Sequence, residues 1–291
     1  MNLKQLRYFY EIANEGQITR AAKKLHIAQP PLSQSLKALE DRLGVILFER
    51  NGRRMELTDA GAVLYEKAKE LFYKIDETMI EVKETGKGVR GTLSIGCNKS
   101  CFSRIPKTIR TYQEKYPQVK FKLLEGDSYF LTKQLVDREI EVAIIRLPID
   151  MDGFSYLRLP EEEYVVVIPN NWINKPDKKM ISIEELVEIP LLLLHRIRGV
   201  GQFELIMDKF RDKGLTPNII CESPNVDMLL GLVTEGLGAT VVPKSTLLKH
   251  NTSNVSVLHI EDTHIVSESA IIWLKDRYLS KSAERFIELF N

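Results

Sequence analysis

The sequence predicts an α/β protein in two parts: a small helical module carrying one hairpin, then a larger body of alternating strands and helices. Three observations predict it. Two adjacent prolines, Pro30 and Pro31, interrupt a run whose apolar residues otherwise keep helical spacing. A two-residue hairpin signal, Asn51-Gly52, follows between short β-like runs. From residue 91 onward, apolar strand-like runs alternate with amphipathic helical stretches, the βαβ pattern of parallel sheets with helices on their faces.

Each element can be justified in turn. Leu3, Leu6, Phe9, Tyr10 and Ala13 recur at three- and four-residue steps, predicting an amphipathic helix that ends near Gly16. A short second helix spans about Ile18 to Leu25, with Thr19 or Gln17 near its start. Proline inside a helix removes a hydrogen bond and clashes with the preceding turn, costing roughly 3 kcal/mol. In the first turn it costs almost nothing, because that N–H has no intrahelical partner. A third helix therefore begins near Pro30. Leu32, Leu36, Leu39 and Leu43 form its buried stripe, and Gly44 closes it. Gln29, Pro30, Pro31, Ser33, Gln34 and Lys37 are left facing outward.

Arg50, Arg53 and Arg54 cluster on the hairpin that follows. Thr58-Asp59 can then cap a long helix, whose stripe is Leu64, Ala68, Leu71, Ile75, Met79 and Val82. So narrow a stripe suits pairing with the same helix of a second chain, or packing on its own domain. The Gly-rich, basic stretch "ETGKGVRG" (84–91) marks the main boundary. Beyond it come "TLSIGC", a helix over 103–115, "VKFKLLEG", a helix over 128–138 and "EVAIIRL". A second set follows: "YVVVIP", "PLLLL", a helix over 202–213, "NIICES", a helix over 225–236 and "GATVVP". "ESAIIWLK" and a helix over 281–290 close the chain. Two α/β units joined by short crossovers leave a cleft between them, where small ligands bind.

Composition narrows the function classes. With 44% hydrophobic and 28% charged residues, the chain of 291 residues is neither disordered nor fibrous. No apolar run reaches the ~20 residues of a membrane helix, and the charged start does not read as a signal peptide. Three cysteines, Cys97, Cys101 and Cys221, form no disulfide framework, so an intracellular setting is the simpler reading. Residues 1–58 hold ten Lys/Arg against six Asp/Glu, a net +4, and the remainder 31 against 34, a net −3. The small basic part thus points to a polyanionic partner.

A helix entered through a tight turn and packed on a shorter helix is the helix–turn–helix arrangement, which presents its N-terminal residues to base edges in the major groove. Gln29 and Gln34 can pair with adenine, Ser33 is permissive, and Lys37 reaches guanine or phosphate. The arginines fit a wing over the minor groove. A small helical bundle with a solvated polar face is the alternative from local pattern alone.

The stretch "LRYFYEIANEGQITRAAKKLHIAQPPLSQSLKALEDRLGVILFERNGRRMELTDAG" resembles the DNA-binding domain of LysR-type transcriptional regulators almost position by position. "GTLSIGC", "YPQVKFKLLEG", "GLVTEGLGATVVP" and the final strand–helix extend the resemblance over essentially the whole chain. It implies a winged helix–turn–helix over 1–58, with Thr19 among the DNA contacts, and a linker helix for dimerisation over 59–88. It implies next an effector domain over 89–291, built of two periplasmic-binding-protein-like, Rossmann-like subdomains: about 91–161 with 268–291, and about 162–267. It also implies homodimers paired into homotetramers in the cytoplasm, double-stranded DNA and a small organic acid as partners, room for contact with RNA polymerase, no cofactor and no enzymatic activity.

In relatives that sense acids, hydroxyls at two strand–helix turns and an arginine hold the ligand carboxylate. The matching positions here are Ser100, Ser128 and Arg146, with Phe203, His195 and Arg196 on the facing side. Both serines follow a strand near a helix start, where hydroxyls and free N–H groups favour anions. Each also reads as a plain helix cap, and Arg146 as an ion pair between subdomains. The basic, Gly-rich "HRIRGVG" departs from the aromatic-acid sensors and leaves aromatic and dianionic ligands both open. Cys97 and Cys101 lack zinc-site company, and a redox pair is a minor alternative. The five histidines, at 26, 195, 250, 259 and 264, form no ligand motif. A binding protein that never touches DNA is the rival class, but it leaves the first 58 residues without a purpose.

Overall fold

The structure, a computed structural model, describes residues 1–291 except 53, 88, 174–177, 196–200, 251 and 262–264, with the side chains of 83–87 and 249 also left aside. Arg53, Arg196 and His264 therefore lie outside the described residues. The chain divides into two compact units, Met1–Lys83 and Glu84–Asn291.

In the first unit, α1 (Leu3–Glu15) opens with a reciprocal cap between Asn2 and Gln5 and stops at Gly16, whose φ of 62° is left-handed. Helices α2 (Ile18–Lys24) and α3 (Gln29–Leu43) follow. Pro30 and Pro31 sit in the first turn of α3, where their missing N–H groups lose nothing. Leu32, Leu36 and Leu39 are buried, but Leu43 is exposed because α3 ends at Gly44 beyond the edge of the core. Strands β1 (Phe48–Asn51) and β2 (Arg54–Leu57) pair antiparallel, with Asn51 opposite Arg54. Asn51 is thus the last residue of β1, whereas the Asn51-Gly52 signal places it in the turn.

Helix α4 (Asp59–Lys87) begins with the Thr58 hydroxyl accepting from the Gly61 amide at 3.0 Å. Any side chain at 61 would strike the Leu47 carbonyl, since a Cβ there would lie 2.1 Å from it. One core, containing Leu6, Phe9, Ile12, Leu36, Leu39 and Phe48, also absorbs Ala68 and part of Leu64. The first third of the expected linker stripe is therefore packing within the domain. Leu71, Met79 and Val82, further along, are exposed.

The second unit contains two sheets. The first is built from β3 (Gly91–Cys97), β4 (Val119–Glu125), β5 (Val142–Arg146) and β6 (Phe154–Arg158), with helices α5 (Ile105–Lys115) and α6 (Ser128–Val136) between them. A 3-10 turn over Lys99–Arg104 leads into α5, so the helix expected over 103–115 begins two residues later. The second is built from β7 (Glu162–Pro169), β8 (Met180–Ile181), β9 (Leu191–Leu194), β10 (Ile219–Ser223), β11 (Ala239–Pro243), β12 (Val255–Ile260) and β13 (Val266–Ser267). Its helices are α7 (Ile183–Val187), α8 (Gln202–Asp212) and α9 (Val226–Thr234). The chain then returns to the first sheet with β14 (Ser269–Leu274) and ends on α10 (Lys281–Ile287).

The first sheet runs β4-β3-β5-β14-β6 and the second β10-β9-β11-β7-β12-β8, with β13 on β7. The expectation of parallel sheets holds only in part. β14 is antiparallel to β5 and β6, and β7 to β11 and β12, because each strand enters from the other sheet. The two crossing segments run side by side, Ser267 opposite Glu162. Gly96 lets Ile140 and Leu131 close over β3, since a Cβ there would lie 2.5 and 2.8 Å from their side chains. This brings the carboxyl end of β3 against the start of α6.

Candidate functional site

Strands β3, β4, β5, β9 and β10 all end toward one cleft between the two sheets, the place where open α/β folds bind ligands. A cavity of about 200 Å3 there is lined by Ser100 and Arg146 from one side and by His195 and Gln202 from the other. The first turns of three helices border it: Asp127 caps α6, Gln202 begins α8, and Val226 begins α9. The helix dipole favours an anion at each such end, although Asp127, Glu204 and Asn225 already accept one amide each there.

The residues expected to hold that anion are largely occupied by one another. The Arg146 guanidinium donates from Nε to the Ser100 hydroxyl (3.2 Å), from Nη2 to the Ser100 carbonyl (2.8 Å) and from Nη1 to the Ser267 hydroxyl (2.8 Å). Nη1 also lies 2.7 Å from a Glu162 carboxylate oxygen, both side chains being about one-tenth exposed. The other Glu162 oxygen accepts from the Ser245 amide at 2.8 Å. Burial pushes the Glu162 carboxyl up, but the Arg146 charge and the bonds from Ser245 outweigh it and hold the group below the ordinary carboxylate value. Of the two readings of Arg146, the geometry displays the ion pair, tying β5 to the crossing segment.

Ser128 is 2% exposed, and its hydroxyl lies 3.1 Å from Asn98 Oδ1 and 3.0 Å from the Arg146 carbonyl. The same Asn98 oxygen accepts from the Arg146 amide at 2.7 Å, while its Nδ2 donates to the Gly126 carbonyl. Ser128 thus faces the scaffold rather than the cavity. Phe203 is half-buried against the second core and meets the His195 ring edge-on at 4.9 Å. His195 is flanked by Glu222 (3.4 Å) and Glu204 (4.0 Å). Glu204 also accepts from the Gly201 amide at 2.6 Å, capping α8. Cys97 and Cys101 are buried free thiols, and burial pushes the Cys101 thiol up, toward its unreactive protonated form. Among the described residues no group of His, Cys, Asp and Glu could hold a metal ion.

Asn98, Lys99, Glu162, Ser267 and Asp227 were not expected. Lys99 reaches across the cleft to Asp227 at 2.6 Å, and the hydrogen bond between them holds its ammonium above the ordinary lysine value. The signal for Asn98 and Lys99 lay in plain sight, as polar neighbours of Ser100 at a strand end. Glu162 and Ser267 carried none, because their partner lies many residues away.

The other candidate surface is on the first unit. Gln29, Pro30, Pro31, Gln34 and Lys37 are exposed along the first three turns of α3, and Ser33 is half-buried. Thr19 is exposed at the start of α2, and Arg50 and Arg54 are exposed on the hairpin. The Gln29, Gln34, Lys37, Arg50 and Arg54 side chains have no hydrogen-bond partner among the described residues.

Comparison with known proteins now decides the family. Residues 3–62 match the model of the bacterial regulatory helix-turn-helix protein, lysR family, and residues 86–291 that of the LysR substrate binding domain. The chain belongs to the LysR family of transcriptional regulators. It is 37% identical over 291 residues to the HTH-type transcriptional regulator BsdA of Bacillus subtilis (strain 168), covering all of both chains. It is 32% identical over 248 residues to BenM of Acinetobacter baylyi (strain ATCC 33305 / BD413 / ADP1), covering 84% of this chain and 81% of that one. The crystal structure of full-length BenM matches with a TM-score of 0.58 at 29% identity, over 100% of this chain and 95% of that one. Full-length CbnR in complex with its target DNA matches in fold, with a TM-score of 0.72 at 24% identity, over 100% of this chain and 99% of that one. This LysR-type chain is accordingly a DNA-binding transcriptional regulator with an effector-binding domain, and not an enzyme. Among its described residues no helix is long and apolar enough to cross a membrane.

Proposed function

We propose that the chain regulates transcription in the cytoplasm in response to a small carboxylate-bearing anion held between the two sheets of its effector domain. The observation that carries this reading is the meeting of three helix starts on one 200 Å3 cavity that Arg146 and Lys99 also border. Ser100 and Arg146 form its fixed wall, Ser128 supports that wall from behind, and His195 and Phe203 lie opposite. Arg196 belongs to the same side in sequence. Anion binding changes how the two sheets pack, and so the spacing of the DNA-binding heads in the assembly. A ligand shifts that balance only as far as it prefers one packing over the other.

DNA contact is assigned to Gln29, Pro30, Pro31, Ser33, Gln34 and Lys37 at the start of α3, to Thr19, and to Arg50, Arg53 and Arg54 of the wing. Dimerisation is assigned to α4 through Leu71, Met79 and Val82, which a chain on its own leaves exposed. Pairing of dimers into tetramers, as the family resemblance implies, completes the assembly, and RNA polymerase is the partner it would address on DNA.

The test is thermal unfolding of the full chain across a panel of mono- and dicarboxylates, followed through Trp172 and Trp273, which both lie in the effector unit. At least one acid should raise the transition and alter the operator gel shift. A panel in which uncharged amides stabilise as well as the acids do would overturn the anion assignment.

A further inference from the structure

Among the described residues, Arg146 and Lys99 are the two side chains on the polar cavity that are always cationic, and their settings differ. Arg146 is 7% exposed and fixed by Ser100, Ser267 and Glu162. Removing any of those partners strands a charge or a donor where water does not reach. Lys99 is held far more loosely. It leaves the β3 end of the first sheet and crosses the cleft to the start of α9 in the second. There its Nζ lies 2.6 Å from Asp227 Oδ2 and 3.2 Å from Asn225 Oδ1, with Glu125 of its own side at 3.9 Å.

The Lys99 side chain is 32% exposed and that of Asp227 46%. Pairs so open to water hold weakly, and an ammonium on a four-carbon stem swings easily. Nor does Asp227 depend on Lys99 alone, because its other oxygen lies 3.3 Å from His250 Nε2. Lys99 can therefore leave Asp227 without stranding a buried charge. It also borders a second cavity of about 600 Å3, on whose wall Asp227 and His250 lie, so it stands between the two chambers.

We propose that Lys99 is the cation an anionic effector recruits: in the free protein it bridges the two sheets through Asp227, and a bound carboxylate takes it over. This rests on the reading that an anion occupies the cleft. Asp227 is then the effector's internal competitor for one ammonium group, while Arg146 stays in its ion pair throughout. Ligand binding and release of the bridge become one event, which links occupancy to the packing of the two sheets.

Competition gives the two partners opposite signatures. Lys99→Gln removes the recruited charge, whereas Asp227→Asn frees Lys99 from its competitor without removing volume. The experiment is calorimetric titration of benzoate and of succinate, one mono- and one dicarboxylate, into the full chain and both variants. For the acid that binds more tightly, Lys99→Gln should weaken affinity about ten- to a hundredfold, as loss of a charge-assisted hydrogen bond does. Asp227→Asn should instead strengthen it about three- to tenfold, the size of a weak surface pair. Equal affinity in all three proteins overturns the role of Lys99 alone, as does equal weakening in both variants. A wild-type chain that binds neither acid overturns the anion reading and this proposal with it.

Discussion

The α3 surface proposed to meet DNA and the cleft proposed to hold the effector treat their polar side chains in opposite ways. On α3, Gln29, Gln34 and Lys37 stand exposed and without partners among the described residues. In the cleft, Ser100, Ser128 and Arg146 are each less than one-tenth exposed and already bonded to one another or to Asn98, Glu162 and Ser267. The difference follows from where water is before the ligand arrives. The α3 side chains are open to solvent and stay hydrated until a partner arrives, so leaving them unpaired costs little. A cleft wall is shielded from water, and an unmet donor there costs about 1–3 kcal/mol. The wall must therefore satisfy itself. A duplex is met by waiting groups, whereas an effector has to exchange partners.

The largest effect should come from breaking the satisfied side of this comparison. Arg146→Ala leaves Glu162 as a buried carboxylate with its main counter-charge gone and the Ser100 carbonyl without its donor. Removing one partner of a buried pair typically destabilises by about 3–5 kcal/mol. The tryptophan transition in urea should move to markedly lower denaturant, since Trp172 and Trp273 both report on the effector unit. A midpoint unchanged from wild type would show that Arg146 is not the tie its bonds describe. The same measurement on Gln34→Ala should show no shift, because exposed substitutions usually stay within about 0.5 kcal/mol.

How much of this was legible in sequence divides along the same line. The exposed and buried faces of α3 were readable because their logic is local. Pro30 and Pro31 fix a helix start, helical spacing separates Leu32, Leu36 and Leu39 from Gln34 and Lys37, and all lie within one short stretch. Leu43 was misread because a stripe does not say where the core ends. Asn51 belongs to β1 and not to the turn, because a favourable Asn-Gly pair does not fix strand register.

In the effector domain β3, β4, β5, β7, β9, β10, β11 and β14 and their helices are legible from alternation, whereas the short or weakly patterned β6, β8, β12, β13 and α7 are not. The antiparallel direction of β7 and β14 was not legible either, since it depends on which sheet the chain has just left. The least legible feature was the bonding state of Arg146. Its partners Ser100, Ser267 and Glu162 come from three separate segments of the chain, and no spacing rule joins them.

On the waiting side, the expected effects are smaller and separable. Gln34→Ala should relax base preference at one position of each half-site, with a loss of about 1–3 kcal/mol on the preferred operator. Competition gel shifts against operators changed one base pair at a time would read it. A loss of affinity spread evenly over all sequences would reassign Gln34 to the phosphate backbone.

The smallest effect concerns the wing, and its signature is a slope rather than a stability. Arg50 and Arg54 are exposed near the end of β1 and at the start of β2, where neither has a side-chain partner among the described residues. An arginine that neutralises one phosphate releases about one condensed counterion, so it adds about 0.9 to the slope of log affinity against log salt. Arg54→Ala should therefore shallow that slope by about 0.9 while keeping the ranking of operator sequences, the reverse of the pattern for Gln34→Ala. Arg50→Ala should behave alike if both flanks of the hairpin lie along the backbone. Fluorescence anisotropy over a salt series, with the operator and a scrambled duplex side by side, separates the outcomes. An unchanged slope with altered ranking would mean that the wing reads bases. An unchanged slope and ranking in both variants would place the hairpin off the DNA, leaving α3 to carry recognition by itself.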